Sequence, residues 1–462
     1  MSGADAELAL LSEALRVLQR HAPKLPAVAE APLSPAVRAA LRSAAGQLAV
    51  ELPYGHPLYV GQMLKPPHPA ARLAYALALW VNPNNHALDG GQASSRMEKD
   101  AVAQVADLFG WQEHLGHLAS GGTIANFEAL WIARELRPGQ AVAASAQAHY
   151  THERLSGVLQ VPFRKIAADR FGRMDVAALE AELKCGEIGT VVATLGTTAV
   201  GAVDPLAEIA ALRGRYDFRL HVDAAYGGYF TLAGNLAAET RQAFDAIPLA
   251  DSLVVDPHKH GLQPYGCGCV LFRDPSVGRF YRHDSPYTYF TSDELHLGEI
   301  SLECSRPGAA AIALWTTLQA LPLERGGEFA TGLEAGREAA LGLHAALVDD
   351  PRFAPLFPPQ LDIVVCGMKA RSASESSAAA RTFFAAAARQ GLHLALANVP
   401  RALAEASGVV TAWDAEHITC LRACVMKPEH RDWLPEILRR LKAIDLSASG
   451  ASADSHSASG PP

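Results

Sequence analysis

Lys259 stands in DPHKHGLQPYGCGCVLFRD, residues 256–274, between the apolar runs ADSLVV and CVLF. Both runs read as buried strands, so the lysine falls on a short connection after a strand rather than on a solvated helix face. Apolar strands on either side, His258 next to it, and Gly261, Gly266 and Gly268 nearby favour an uncharged amine and a closely approaching ligand. A Schiff-base lysine needs those conditions. Taken alone, the same lysine reads more readily as a surface residue in a loop.

Three other stretches change that balance. SGGT, Ser120–Thr123, precedes a helical run and presents the backbone N–H groups of Gly121, Gly122 and Thr123 at the positive end of a helix, a phosphate cradle. No GK[ST] follows it, so it is not a nucleotide P-loop. The Gly266–Cys269 stretch runs into a strand, so it is no dinucleotide fingerprint. HVDAAYGG sets Asp223 at a strand end, where a carboxylate can keep a pyridine nitrogen protonated. Ala224 and Ala225 leave room for a flat ring, and His149 offers an aromatic plane for its other face. Singly, these residues read as an N-cap turn, a helix cap and a core histidine. In this order, and all at strand ends, they compose a pyridoxal 5'-phosphate site.

The elements that must position them alternate. From Gly116 onward the chain reads as a glycine-rich turn (GHLASGG) and a helix, then AVAASAQAH as a strand ending at His149, then THERLSGVLQ as a helix and VPFRKIA as a strand. MDVAALEAELK reads as a helix and TVVATLGTT as a strand, followed by a helix with Asp204 as N-cap and Pro205 at N1. FRLHVDAAYGG, ADSLVVDPH and CGCVLF complete the sheet. Such alternation implies an α/β fold with a mostly parallel sheet and ligands at the carboxyl ends of its strands, where His149, Thr198, Asp223 and Lys259 lie. Upstream, leucines at helical spacing over 5–20, a proline-broken arm and a second helical run over 34–48 lead to the loop YGHPLYVGQMLKPPHP. A further amphipathic helix is expected to begin near Ser94 or Ser95, and Ser95 is a candidate substrate contact there. Downstream come a long polar and aromatic loop after Phe272, a helix over 309–321, and a smaller α+β unit with helices near 333–348 and 378–390 and strands in LDIVVCG and ITCLRACVM. The expected division is an N-terminal arm over 1–70, a large cofactor-binding domain over 71–320, a small domain over 321–446 and a disordered tail over 447–462.

Composition fits an enzyme acting on small molecules. The 462 residues are 49% hydrophobic with a formal charge of -8, which offers no footprint for nucleic acid. Seven cysteines without CxxC spacing read as core thiols rather than disulfides or metal ligands. No basic leader precedes an apolar run, and LAYALALWV is too short to span a bilayer, so no membrane partner and a cytoplasmic location are expected.

SGGTxAN, QAH, TLGTT, HVDAAYGG and DPHK as a set resemble the group II pyridoxal-phosphate-dependent amino-acid decarboxylases, which include the aromatic-amino-acid, tyrosine and glutamate decarboxylases, from about His56 to about Leu441. The resemblance implies the type I fold of pyridoxal-phosphate-dependent transferases, with a mostly parallel seven-stranded sheet. It implies Lys259 as the Schiff-base lysine with His258 before it, Asp223 as partner of the pyridinium nitrogen, His149 stacked on the ring, Ala225 on the opposite face and Thr198 close by. It further implies phosphate held by Gly121–Thr123, Arg422 paired with the substrate α-carboxylate, a homodimer, and a loop tyrosine that protonates Cα: Tyr289, with Tyr287 second.

The sequence departs from that pattern at Ile124, where the turn usually carries Glu, and in QASSRME, Gln92–Glu98. SRPG, Ser305–Gly308, also resembles sphingosine-phosphate lyases. The expected reaction is decarboxylation of an L-amino acid to an amine, through the Lys259 aldimine and a quinonoid. Retro-aldol cleavage, a decarboxylation-dependent aldehyde synthase and a cofactor-binding protein without turnover are the competing readings. Tyr54, Tyr59, Met63, Leu64 and Trp80 are read either as a mouth lined for an apolar substrate or as core and dimer contacts.

Overall fold

The computed structural model describes residues 3–24, 26, 32–282 and 295–445. Tyr287, Tyr289 and the tail from 447 lie outside the described residues. The chain opens with helices α1 (Gly3–His21) and α2 (Pro35–Leu48), neither of which buries a residue. Ser34 caps α2, its hydroxyl accepting from Val37 N, with Pro35 at the first helical position. Helices α3 (Pro69–Ala78) and α4 (Leu88–Leu108) follow.

The central sheet is built from β1 (Leu115–Ala119), β2 (Ala141–Ser145), β3 (Phe163–Ile166), β4 (Ile188–Thr194), β5 (Arg219–Asp223), β6 (Ser252–Val255) and β7 (Gly268–Phe272). Helices α5 (Gly122–Leu136), α6 (Thr151–Val158), α7 (Val176–Leu183), α8 (Leu206–Ala211) and α9 (Ala238–Asp245) alternate with the strands. The order is β1-β7-β6-β5-β4-β2-β3, with β7 antiparallel to both neighbours and every other pairing parallel. Both faces are covered. Val191 and Ala193 of β4 enter one apolar cluster while Val192 enters another, and Leu253 and Val255 of β6 part from Val254 in the same way.

Helix α10 (Gly308–Ala320) leads to α11 (Glu328–Val348) and a second, antiparallel sheet ordered β11-β13-β9-β8, from β8 (Phe353–Pro355), β9 (Ile363–Met368), β11 (Ala395–Pro400) and β13 (His417–Cys424). A short parallel pair, β10 (Ala370–Ser372) with β12 (Val410–Ala412), and helices α12 (Ala373–Arg389), α13 (Arg401–Ala404) and α14 (His430–Ala443) complete it. This is the α/β fold expected, a mostly parallel seven-stranded sheet beside a smaller α+β unit. Among the described residues no helix is long and apolar enough to cross a membrane.

Local readings needed correction in four places. GHLA is strand β1 rather than turn; Gly116 is small because β7 packs against it, a Cβ there falling 2.5 Å from Leu271 Cδ2. The strand before His149 ends at Ser145, and a turn carries the histidine. Asp204 does not cap α8, whose N-cap is Pro205. Its buried carboxylate instead accepts from Thr194 N at 2.8 Å and Met174 N at 2.7 Å, tying two connections together. Helix α4 starts at Leu88 rather than near Ser94, interrupted by non-helical backbone at Gly91.

Candidate active site

Strands β4, β5 and β6 end side by side, and the segments leaving their carboxyl ends, with the turn into α5, enclose a cavity of about 340 Å³. Its lining brings together Gly121, Gly122, Thr123, His149, Thr198, Asp223, Ala225, His258 and Lys259, residues scattered over 139 positions from 121 to 259. That volume is of the size small-molecule sites have.

Asp223, the last residue of β5, is buried. Its Oδ2 lies 2.8 Å from Nε2 of wholly buried His152, and its Oδ1 accepts from Ala225 N at 3.1 Å. A carboxylate only accepts, so His152 carries its proton on Nε2. Burial alone would raise the Asp223 carboxyl, but the hydrogen bond and charge of His152, with Lys259 and the Ala225 N–H, outweigh it and hold the carboxyl well below the usual carboxylate range. The cavity thus contains a carboxylate kept anionic at physiological pH.

Lys259 sits in the turn after β6, its Nζ 3.0 Å from Asp256 Oδ2. His258 donates from Nδ1 to Cys267 O at 2.7 Å and its ring packs against Tyr265 at 4.9 Å; burial lowers its pKa. His149, half-buried, is held by its Nδ1 contact with Thr151 Oγ1 at 2.8 Å. Burial also lowers its pKa, leaving a neutral ring at the cavity wall. At Gly121, φ is +154° and a Cβ would point at His258 Cε1, so this turn stays open only with glycine. Ser120 N, at its entrance, donates to Glu303 at 3.0 Å.

Arg422 of β13 is not in this lining. It lines an adjoining cleft that shares His149 and Thr198, and there it donates to the carbonyls of Thr198 (2.8 Å), Ala199 (3.1 Å) and Gly61 (3.3 Å). Ser95 belongs to neither cleft. It is buried inside α4, and its hydroxyl has no hydrogen-bond partner among the described residues. Arg306 of SRPG is likewise internal, paired with buried Glu98 at 3.0 Å and donating to Leu118 O. That motif braces α4 against β1, and Glu98 of QASSRME is its counter-ion. Of the aromatic residues read as a mouth, Tyr59 is buried in contact with Tyr54 and Trp80 is exposed beyond α3; none lines the cavity.

Sequence reasoning missed His152, Asn126, Thr194, Tyr226, Asp256 and Tyr265, all at or under the cavity. For Asp256 the signal existed, since it opens DPHK three residues before the lysine. Nothing in the sequence ties His152 to Asp223, 71 positions away.

The residues fit pyridoxal phosphate. The cavity offers a lysine, an anionic carboxylate, a neutral aromatic face and a glycine turn at a helix N-terminus, and the Thr194 hydroxyl on its wall has no hydrogen-bond partner among the described residues.

Comparison with known proteins agrees. The family model described as the pyridoxal-dependent decarboxylase conserved domain matches residues 133–366. A probable L-aspartate decarboxylase of Halobacterium salinarum is 34% identical over 267 residues, 57% of this chain and 70% of the relative. A probable L-tyrosine/L-aspartate decarboxylase of Methanocella arvoryzae is 30% identical over 325 residues, 69% of this chain and 81% of the relative. The crystal structure of mouse CSAD in apo form superposes with a TM-score of 0.75 at 21% identity, covering 93% of this chain and 91% of that one.

Proposed function

Since the chain belongs to the group II pyridoxal-dependent decarboxylases and is a pyridoxal-phosphate-dependent amino-acid decarboxylase, we propose that its reaction is run by the residues around Lys259. Bound there, the cofactor supplies an electron sink for the pair left at Cα when CO2 departs. Lys259 would hold it covalently. The Asp223 carboxylate, kept anionic by His152, would keep the ring nitrogen protonated, and the neutral His149 ring and Ala225 would flank the ring, with Thr198 at its edge. The Gly121–Thr123 turn and His258 complete the holder. Arg422 would take the substrate α-carboxylate at the junction of the two clefts and orient it. Tyr289 would return a proton to Cα. The observation that carries this reading is the Asp223–His152 pair beside Lys259 in one cavity.

The relatives are named for aspartate and tyrosine, so those two amino acids head the substrate panel. The test is CO2 and amine release from L-aspartate, L-tyrosine, L-glutamate, DOPA, L-tryptophan and 2,4-diaminobutyrate with added cofactor. Equimolar CO2 and amine from one of them is expected. Oxygen uptake stoichiometric with CO2 would make the protein an aldehyde synthase, and no CO2 from any would overturn the reading.

The active unit proposed is a homodimer. Leu8, Leu41 and Leu48 of α1 and α2 are exposed, apolar area that a second copy can cover. Activity in a species sedimenting as a monomer at assay concentration would contradict it. The proposed units are an arm over 1–70, a large domain over 71–320 and a small domain over 321–446. Buried free thiols at Cys267, Cys269, Cys366, Cys420 and Cys424 suit a reducing compartment, the cytoplasm.

A further inference from the structure

A second cavity, of about 580 Å³, is lined by His260 and Leu262 of the segment after β6, yet it shares no described lining residue with the cofactor cavity. His260 forms part of the wall between the two. It is 1% exposed, its Nε2 faces buried Asp362 Oδ2 at 3.2 Å, and its ring meets that of Tyr226 at 4.7 Å; Tyr226 donates to Asp362 Oδ1 at 2.6 Å and lines the cofactor cavity. The remaining walls of the second cavity come from the segment before α3, the N-terminal turns of α11 and the link from β13 to α14. Helices α3, α11 and α14 therefore each start at this cavity, with their positive ends towards it.

Two lysines line it. Lys427 is 2% exposed and donates to Tyr59 O at 2.7 Å, Lys65 is half-buried, and neither is ion-paired among the described residues. Burial draws both amines down to about 8, against the raising pull of Asp362 and Glu429 on Lys65 and of Glu429 and the Cys424 thiol on Lys427. The exposed arginines of the lining are already matched: Arg72 pairs with Glu7, and Arg431 lies 3.6 Å from Glu338. The unbalanced positive charge is thus at the lysines, and a buried charge without a partner favours an anion beside it. Much of the other lining is apolar, with Phe329, Leu333, Leu262, Pro66 and Pro428. We propose that this cavity is a second ligand site, for a small carboxylic acid with an aromatic body. Its carboxylate accepts from Lys65, with Lys427 and the helix ends behind it, and its ring packs on Phe329 and Leu333. The volume is of the size small-molecule sites have, and a mainly apolar lining with a few polar groups is their usual composition.

The probe is 3-phenylpropionate, titrated calorimetrically into the protein loaded with pyridoxal phosphate. A saturable site is expected that persists in Arg422→Ala, because Arg422 lines the cleft beside the cofactor and not this cavity. Lys65→Met, with its melting temperature checked against wild type, should weaken that site by about tenfold or more, the scale of a charge-assisted hydrogen bond. Glu328→Gln should tighten it, since it removes an exposed acid from the lining; a variant that only disturbed the fold would not bind more tightly. No saturable binding overturns the inference, and so does a site that is lost in Arg422→Ala but kept in Lys65→Met. Equal binding of 2-phenylethylamine would refute the anion, and tighter binding of inorganic phosphate would refute the aromatic body.

Discussion

Asp223 Oδ2 and His152 Nε2 lie 2.8 Å apart, both buried, in a contact joining the end of β5 to α6. The pair fixes the polarity of the cavity floor, because a carboxylate only accepts and His152 Nε2 is therefore the donor. Asp223→Asn should fold and bind cofactor yet lose activity by about 100-fold or more, the scale of a charge-assisted hydrogen bond worth about 3 kcal/mol. His152→Gln, which can still donate, should lose less. Near-normal turnover in Asp223→Asn would place the ring elsewhere.

Lys259 is the lysine of the cavity lining, held 3.0 Å from Asp256. Borohydride reduction of the cofactor-loaded protein followed by peptide mapping should put the pyridoxyl label there, and Lys259→Ala should leave no reducible linkage. Label on another lysine would refute the assignment.

Tyr289 lies outside the described residues, so its role is tested by product analysis. Tyr289→Phe should shift product from amine towards aldehyde and ammonia with oxygen uptake, because slower proton return to Cα leaves time for oxidation. Tyr287→Phe should do so less. The reverse ranking would move the proton donor to Tyr287.

Asp204 gives a stability signature. Burial pushes its carboxyl up to about 7, against a weaker opposing pull from the N–H groups of Thr194 and Met174. An acid raised in the folded state binds more protons folded than unfolded, so its contribution to stability is largest below the unfolded value of about 4 and is lost as pH rises to about 7. The drop in melting temperature between about pH 5 and about pH 8 should therefore be smaller in Asp204→Asn than in wild type. Because an amide turns one donor towards backbone N–H groups, the variant should also melt lower at the acidic end. An equal pH-dependent drop in both proteins would exclude Asp204 as its source.

Local pattern along the chain encodes one part of this protein. Alternating apolar strands and helices required a mostly parallel sheet, and motifs placed at or just past strand ends (TLGTT, HVDAAYGG, DPHK) had to meet, because a parallel sheet aligns its carboxyl edges. Lys259 and Asp223 were legible for that reason, and the Gly121–Thr123 turn was legible as glycines opening a helix. Tertiary structure alone decided which buried polar group answers which. His152 reads as an ordinary helix histidine until α6 folds under Asp223, and Ser95 looks like a turn hydroxyl until α4 extends back to Leu88 and buries it. Arg306 reads as a motif residue until Glu98 is found against it, 208 positions away. Arg422 lies in a strand of the small sheet, yet its guanidinium reaches the Thr198 loop of the large one. Such pairings depend on the balance between desolvation and a partner supplied by another element, and neither propensity nor periodicity along the chain carries that balance.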